Sequence, residues 1–191
     1  MCPRRLLTGH VAIFSSSMDF KRKNFRLARE NYIGLGWFFV TFCCSDRHPT
    51  LRQHSACRGF IEILRHESAR HGFSVHAYCL MPDHAHILVQ GLQADSDLLH
   101  FVKSLKQKSA FQFKRRTGTQ LWQRFFYDHI LRPSESPDGV AWYIWLNPVR
   151  AGICANPEDY PFSGSLVGAG PNHTPPEAAW IPPWKLCSGD L

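Results

Sequence analysis

Residues 73–90 constrain the fold more than any other stretch of the chain. Phe73 to Leu80 alternates apolar and polar side chains, Met81-Pro82-Asp83 supplies a turn, and His84 to Gln90 forms a second strand that Gly91 closes. Two strands around so short a turn pair as an antiparallel hairpin. The segments on either side carry helical spacing. Arg58 to His71 sets Phe60, Ile61, Ile63 and Leu64 between charges and stops at Gly72. After the hairpin, a helix capped by Asp95 or Ser96 runs to about Arg116, with Leu98, Val102, Leu105 and Phe113 on one side. Gly36 to Cys44 and Trp122 to Leu131 are aromatic and β-branched, hence strands. The order β-α-β-β-α-β predicts an α+β fold of the ferredoxin-like, split βαβ kind, an antiparallel sheet with helices packed on one face. Ser136-Pro137-Asp138 then opens one more, C-terminal helix with an N-cap and a proline at its first position, and Asn147-Pro148 ends it. That last helix bears Tyr143.

The chain has 191 residues, 44% of them hydrophobic, which suits one core and little else. Residues 24–163 hold every predicted element. Residues 1–23 form a basic N-terminal extension expected to be disordered, within which Met18 competes with Met1 as the true start. Residues 164–191 are a Pro/Gly-rich tail expected to be loosely ordered. No apolar run approaches the ~20 residues of a membrane span, the longest being Trp37 to Cys44. Seven cysteines without a CxxC pair read as reduced thiols. Together these features predict a cytoplasmic protein with no membrane partner.

Charge points to a partner. Residues 98–127 contain Lys103, Lys106, Lys108, Lys114, Arg115, Arg116 and Arg124 and no acid, while residues 1–29 hold seven bases against Asp19 alone. Positive charge so concentrated is the footprint of a phosphate backbone. A solvated helix face is the ordinary alternative. Lys103, Lys106, Lys114, Arg115, Arg116 and Arg124, with Arg132 beyond the fourth strand, are the expected nucleic-acid contacts.

His84-Ala85-His86 is the strongest local motif. Residues i and i+2 of a strand share a face, so the two imidazoles can serve one metal ion; the alternative is two polar side chains on a wet face. Cys79 as a third ligand gives a zinc reading, although structural zinc takes four ligands. Asn147 as the third ligand leaves positions open for phosphate oxygens. Tyr143, one helical turn before Asn147, then stands where a nucleophile could form a phosphotyrosine. Plain core packing is its other reading, because Trp142, Ile144, Trp145 and Leu146 make the helix apolar.

Met81-Pro82-Asp83-His84-Ala85-His86-Ile87-Leu88 resembles the His-hydrophobe-His motif of the single-tyrosine transposases, the insertion-sequence-200-like family. Tyr143-Ile144-Trp145-Leu146-Asn147-Pro148-Val149-Arg150-Ala151-Gly152 is similar to the tyrosine-helix motif of the family's REP-associated branch. The stretches Phe126 to Arg132 and Trp37 to Phe42 fit as well, so the resemblance spans roughly residues 24–163. It implies that His84, His86 and Asn147 bind magnesium or manganese and that Tyr143 is the nucleophile. Nitrogen ligands favour manganese of the two. It further implies a transposase acting on single-stranded or hairpin DNA, an endonuclease and strand transferase working through a 5′-phosphotyrosine, as a monomer or homodimer. Two other classes stay open: a domesticated protein that grips hairpin DNA or RNA without cutting, and a zinc-stabilised interaction protein.

Overall fold

A computed structural model describes residues 26–168, 170–171, 174–176 and 179–183. The expected N-terminal extension, 1–23, lies outside the described residues. The chain forms β1 (Trp37–Cys44), α1 (His54–Arg70), β2 (Phe73–Met81), β3 (His84–Gly91), α2 (Leu98–Thr117), β4 (Trp122–Ile130), α3 (Pro137–Trp145), α4 (Asn147–Arg150) and β5 (Ser163–Gly164). The sheet order is β4-β1-β3-β2-β5, with every neighbouring pair antiparallel. Its first four strands have the split βαβ arrangement that the sequence predicts.

Strand periodicity divides the molecule into three layers. Ala85, Ile87 and Val89 of β3 are fully buried with Phe60 and Leu64 of α1 and Phe101, Val102 and Leu105 of α2. Leu88 points to the opposite face, into a second core with Phe39, Ala77, Cys79 and Val140, Tyr143, Ile144 and Trp145 of α3. His86, at the same parity as Leu88, therefore faces the tyrosine helix. Burying both faces of the central strands explains why β1 and β3 read as near-continuous apolar runs.

Several boundaries depart from expectation. The cap of α2 is Asp97, whose carboxylate accepts the His100 backbone N–H at 3.0 Å. Ser96 is buried instead, donating to the Gly72 carbonyl at 2.7 Å, and Asp95 caps nothing. Helix α1 starts at His54 rather than Arg58, since Ala56 and Cys57 already pack into the core. The last helix ends at Trp145, and Asn147 opens the separate turn α4. The boundary at 163 cuts through β5, where Ser163 and Gly164 pair with Cys79 and Tyr78 and Trp145 Nε1 donates to the Gly164 carbonyl at 3.0 Å. A Cβ at Gly164 would stand 3.0 Å from the Tyr78 hydroxyl, so any larger residue there would have to push the Tyr78 ring aside. A two-residue strand leaves no periodicity to detect. Among the described residues, no helix is long and apolar enough to cross a membrane, and Cys43, Cys44, Cys57, Cys79 and Cys154 are unbridged.

Candidate active site

The hairpin places His84 and His86 side by side on the α3 face, their ring centroids 4.7 Å apart. Each ring is fixed through Nδ1. Thr41, opposite His86 in the β1–β3 register, sets its Oγ1 2.8 Å from His86 Nδ1. Asp83 from the hairpin turn sets Oδ1 2.6 Å from His84 Nδ1 and also meets Arg47 at 3.2 Å. Burial pushes the Asp83 carboxyl up, but the bond to His84 and the charge of Arg47 outweigh it and hold the group below its ordinary value. Burial, with the nearby charges of His84, Arg150 and Arg47, drives His86 well below the usual imidazole range, so its ring is neutral. With Nδ1 engaged, Nε2 is the nitrogen each ring can offer to a ligand. Carboxylate and hydroxyl partners behind the rings are how metal-binding histidines are oriented.

Tyr143 comes to the same place from α3. Its ring stands edge-on to His86 at 6.5 Å, to Phe39 at 6.2 Å and to Trp180 at 5.1 Å, leaving it 7% exposed. Arg150 lays its guanidinium 4.3 Å from the ring centroid and donates to the Tyr143 carbonyl at 2.6 Å. Burial raises the phenol pKa, and Arg150 opposes the rise.

Asn147 does not continue the helix of Tyr143, as its spacing implies, yet its side chain returns there. Nδ2 donates to the carbonyls of Tyr143 at 3.0 Å and Ile144 at 3.1 Å, capping the end of α3. Its Oδ1 is the end of the amide suited to a cation. Cys79 lies opposite His86 in the β2–β3 register, and burial pushes its thiol up to about 12. Among the described residues, no group of three or more His, Cys, Asp or Glu side chains can hold a metal ion. The zinc reading therefore finds no site among them. An ion on the histidine pair would draw its other ligands from oxygen donors outside that set, such as a side-chain amide and the anionic phosphate of a substrate.

One feature of the site carries no sequence signal. Glu135, in the loop before α3, accepts from His129 Nε2, the Arg132 N–H and Trp180 Nε1, each at 2.8 Å. Burial raises this carboxyl, and those bonds bring it below its ordinary value. The carboxylate thereby fastens the distant Trp180 over the tyrosine helix.

The expected DNA contacts separate into distinct settings. Lys103, Lys114 and Arg124 line a groove of about 880 Å³ between α2 and β4, joined by Arg26. Lys106 lies there too, but its ammonium donates to the carbonyls of Gln123, Arg124 and Phe125 at 2.7, 3.1 and 3.3 Å. Its three donors are turned toward strand β4. Arg115 lies 5.8 Å from the ring of Phe111, whereas Arg116 reaches across to the Ser55 carbonyl at 3.4 Å. Arg132 is exposed beyond the other end of β4, away from the groove.

The chain is similar in sequence and fold to known proteins. The IS200-like transposase family matches residues 36–131. A REP-associated tyrosine transposase of Escherichia coli K12 is 27% identical over 138 residues, covering 71% of this chain and 79% of its own. A Haemophilus influenzae protein named for the same activity is 25% identical over 146 residues, covering 71% and 82%. Among solved structures, a REP-associated tyrosine transposase bound to a REP hairpin superposes with a TM-score of 0.60 at 24% identity, covering 74% of this chain and 82% of its own.

Proposed function

The chain belongs to the IS200-like transposase family, and from that premise we propose that it cuts and rejoins single-stranded DNA through Tyr143. The observation that carries this reading is the convergence of the His84–His86 pair and Tyr143 on one sheet face, with the His86 and Tyr143 rings 6.5 Å apart. The Tyr143 oxygen, on losing its proton, attacks the scissile phosphorus. A tyrosine–phosphorus bond forms at the 5′ end as the bond to the upstream 3′ oxygen breaks, and that oxygen leaves as a 3′-hydroxyl. A second 3′-hydroxyl reverses the exchange at another site, so the bond energy is conserved.

A magnesium or manganese ion held by His84, His86 and Asn147 would neutralise charge on the scissile phosphate. The fixed Nδ1 atoms, the neutral His86 ring and the free end of the Asn147 amide fit such an ion. Arg150 adds a positive charge beside the nucleophile, and Thr41 and Asp83 keep the two imidazoles oriented. The substrate is a DNA hairpin with an unpaired flank, like the REP hairpin bound by the structural relative. The cytoplasm is the proposed compartment.

The test is a labelled hairpin oligonucleotide with an unpaired flank, incubated with Mn²⁺ and resolved on a denaturing gel. Wild type yields a shortened strand and a covalent protein–DNA adduct. Tyr143→Phe binds the hairpin with near-unchanged affinity and yields neither. An adduct with Tyr143→Phe shows that another residue is the nucleophile, and a wild type that shifts the hairpin without ever shortening it is a binding protein.

A further inference from the structure

Phe111 on α2 and Phe125 on β4 are 64% and 48% exposed, whereas eight other phenylalanines of the described residues are buried. Both exposed rings line the groove between α2 and β4, and each has a guanidinium beside it. Arg115, one helical turn from Phe111, lies 5.8 Å from that ring, and Arg124 lies 5.3 Å from Phe125. Deeper in the same wall, Arg26 sits 4.5 Å over Phe126. Lys103 and Lys114 supply two more cations, Leu99, Ala110 and Trp122 give the groove apolar surface, and among the described residues no carboxylate lines it.

This surface is positive and flatly aromatic at once. The cations require a polyanion, and the rings require something planar. A duplex meets only the first requirement, because its bases are stacked on one another and paired. An acidic protein segment meets only the charge requirement unless it also carries rings. A peptide adding itself to the β4 edge has a further obstacle, since Lys106 already takes the carbonyls of residues 123–125. A single DNA strand meets both requirements, with phosphates for the guanidinium and ammonium groups and base faces for the two phenyl rings. We propose that the groove between α2 and β4 holds unpaired nucleotides by stacking their bases on Phe111 and Phe125. The proposal rests on the DNA-processing reading above and assigns its unpaired flank to this groove, apart from Tyr143 and the histidine pair.

Fluorescence anisotropy of the full chain tests it with two labelled probes: a single strand of about twelve thymidines, within the usual span of one such site, and a blunt hairpin without unpaired bases. Phe111→Ala and Phe125→Ala each weaken single-strand binding about 5- to 100-fold. They leave the salt slope unchanged and blunt-hairpin affinity within about twofold. Phe125→Trp binds the single strand at least as well as wild type. Lys114→Ala acts on both probes and flattens the salt slope by about one. Melting temperatures near that of wild type confirm that the exposed-ring variants stay folded.

Equal losses on both probes, or no loss on either, overturn the proposal. So does a light-scattering result in which these variants turn a dimer into a monomer without changing strand affinity, since the groove is then a contact between copies. A Tyr143-dependent adduct measured in parallel separates the two readings. Unchanged strand affinity with an intact adduct defeats the groove alone, and ring-dependent strand binding without any adduct defeats the transposase chemistry alone.

Discussion

The indole of Trp180 stands nearly perpendicular to the ring of Tyr143, their centroids 5.1 Å apart, while its N–H donates to Glu135. Phe39 and Gly139 complete the seat: Phe39 is 5.6 Å away, and a Cβ at Gly139 would come within 3.2 Å of Trp180. A residue from beyond the family-matched segment thus helps keep Tyr143, the proposed nucleophile, 7% exposed. Trp180→Ala removes one aromatic neighbour, which costs about 0.5–1.5 kcal/mol of stability beyond the lost burial. The same change opens the approach to the phenol, so adduct formation on a hairpin substrate rises several-fold. A slower rate with intact folding would mean that the indole belongs to the DNA-binding surface rather than to its cover.

The two ends of the Asn147 amide can be tested separately, because Nδ2 is bonded to the Tyr143 and Ile144 carbonyls and Oδ1 is the end proposed to hold a cation. Asn147→Ala loses both: the melting temperature falls, by an amount equivalent to about 1–2 kcal/mol, and the Mn²⁺ midpoint for cleavage rises. Asn147→Asp keeps an oxygen ligand but turns a carboxylate toward two carbonyls. It is therefore destabilised at least as much, yet it holds its Mn²⁺ midpoint at or below that of wild type. Asn147→Gln partly restores the Mn²⁺ midpoint. Metal titrations read beside melting curves decide the matter. A midpoint that does not move in Asn147→Ala leaves Asn147 a helix cap and nothing more.

Why the sequence discloses some of this and conceals the rest follows from the range of each interaction. The hairpin, the two long helices and the facing of His84 and His86 come from periodicities that span a few residues, so they are legible in the chain. Tyr143 stands out because its helix has a local cap and a local stop. Thr41 behind His86 is different: it lies 45 positions away and becomes its partner only through strand pairing. The Glu135–Trp180 bond likewise spans 45 positions and ends in a Pro-rich stretch with no pattern. Lys106 illustrates the converse. Its place in a basic run suggests phosphate, but an irregular strand 17 to 19 residues onward offers three carbonyls to one ammonium.

That use of Lys106 separates it from Lys114, although both line the same groove. Lys106→Met strips three β4 carbonyls of their donor and lowers stability by about 1–3 kcal/mol. Lys114 is exposed on α2, and Lys114→Met stays within about 0.5 kcal/mol of wild type. The order reverses for DNA, where loss of Lys114 flattens the salt dependence of binding and loss of Lys106 acts chiefly through the groove's shape. Urea unfolding alongside binding at several salt concentrations measures both. Equal stability losses would show that the carbonyl contacts of Lys106 contribute nothing.

Glu67 ties α1 to α2 and sets a pH dependence far from the active site. Its side chain is fully buried, and it accepts from Lys108 Nζ and Ser104 Oγ, each at 2.5 Å, with His66 Nδ1 at 2.8 Å. Burial alone would push the carboxyl up, but the bonds from Lys108, Ser104 and His66 outweigh it and bring the pKa down to about 2 from an ordinary 4.5. A carboxylate whose folded value lies below its unfolded one adds stability above the unfolded pKa. That contribution is lost as pH falls from about 4.5 towards about 2. Its size is about 2 kcal/mol once discounted for Lys108, which keeps part of its side chain in water. Glu67→Gln is therefore less stable than wild type by about that amount at neutral pH. The gap narrows below pH 4.5 and closes near pH 2, as unfolding free energies across that range will record. A gap that stays constant down to pH 2 would assign the loss to packing at the helix interface instead of to the charge on Glu67.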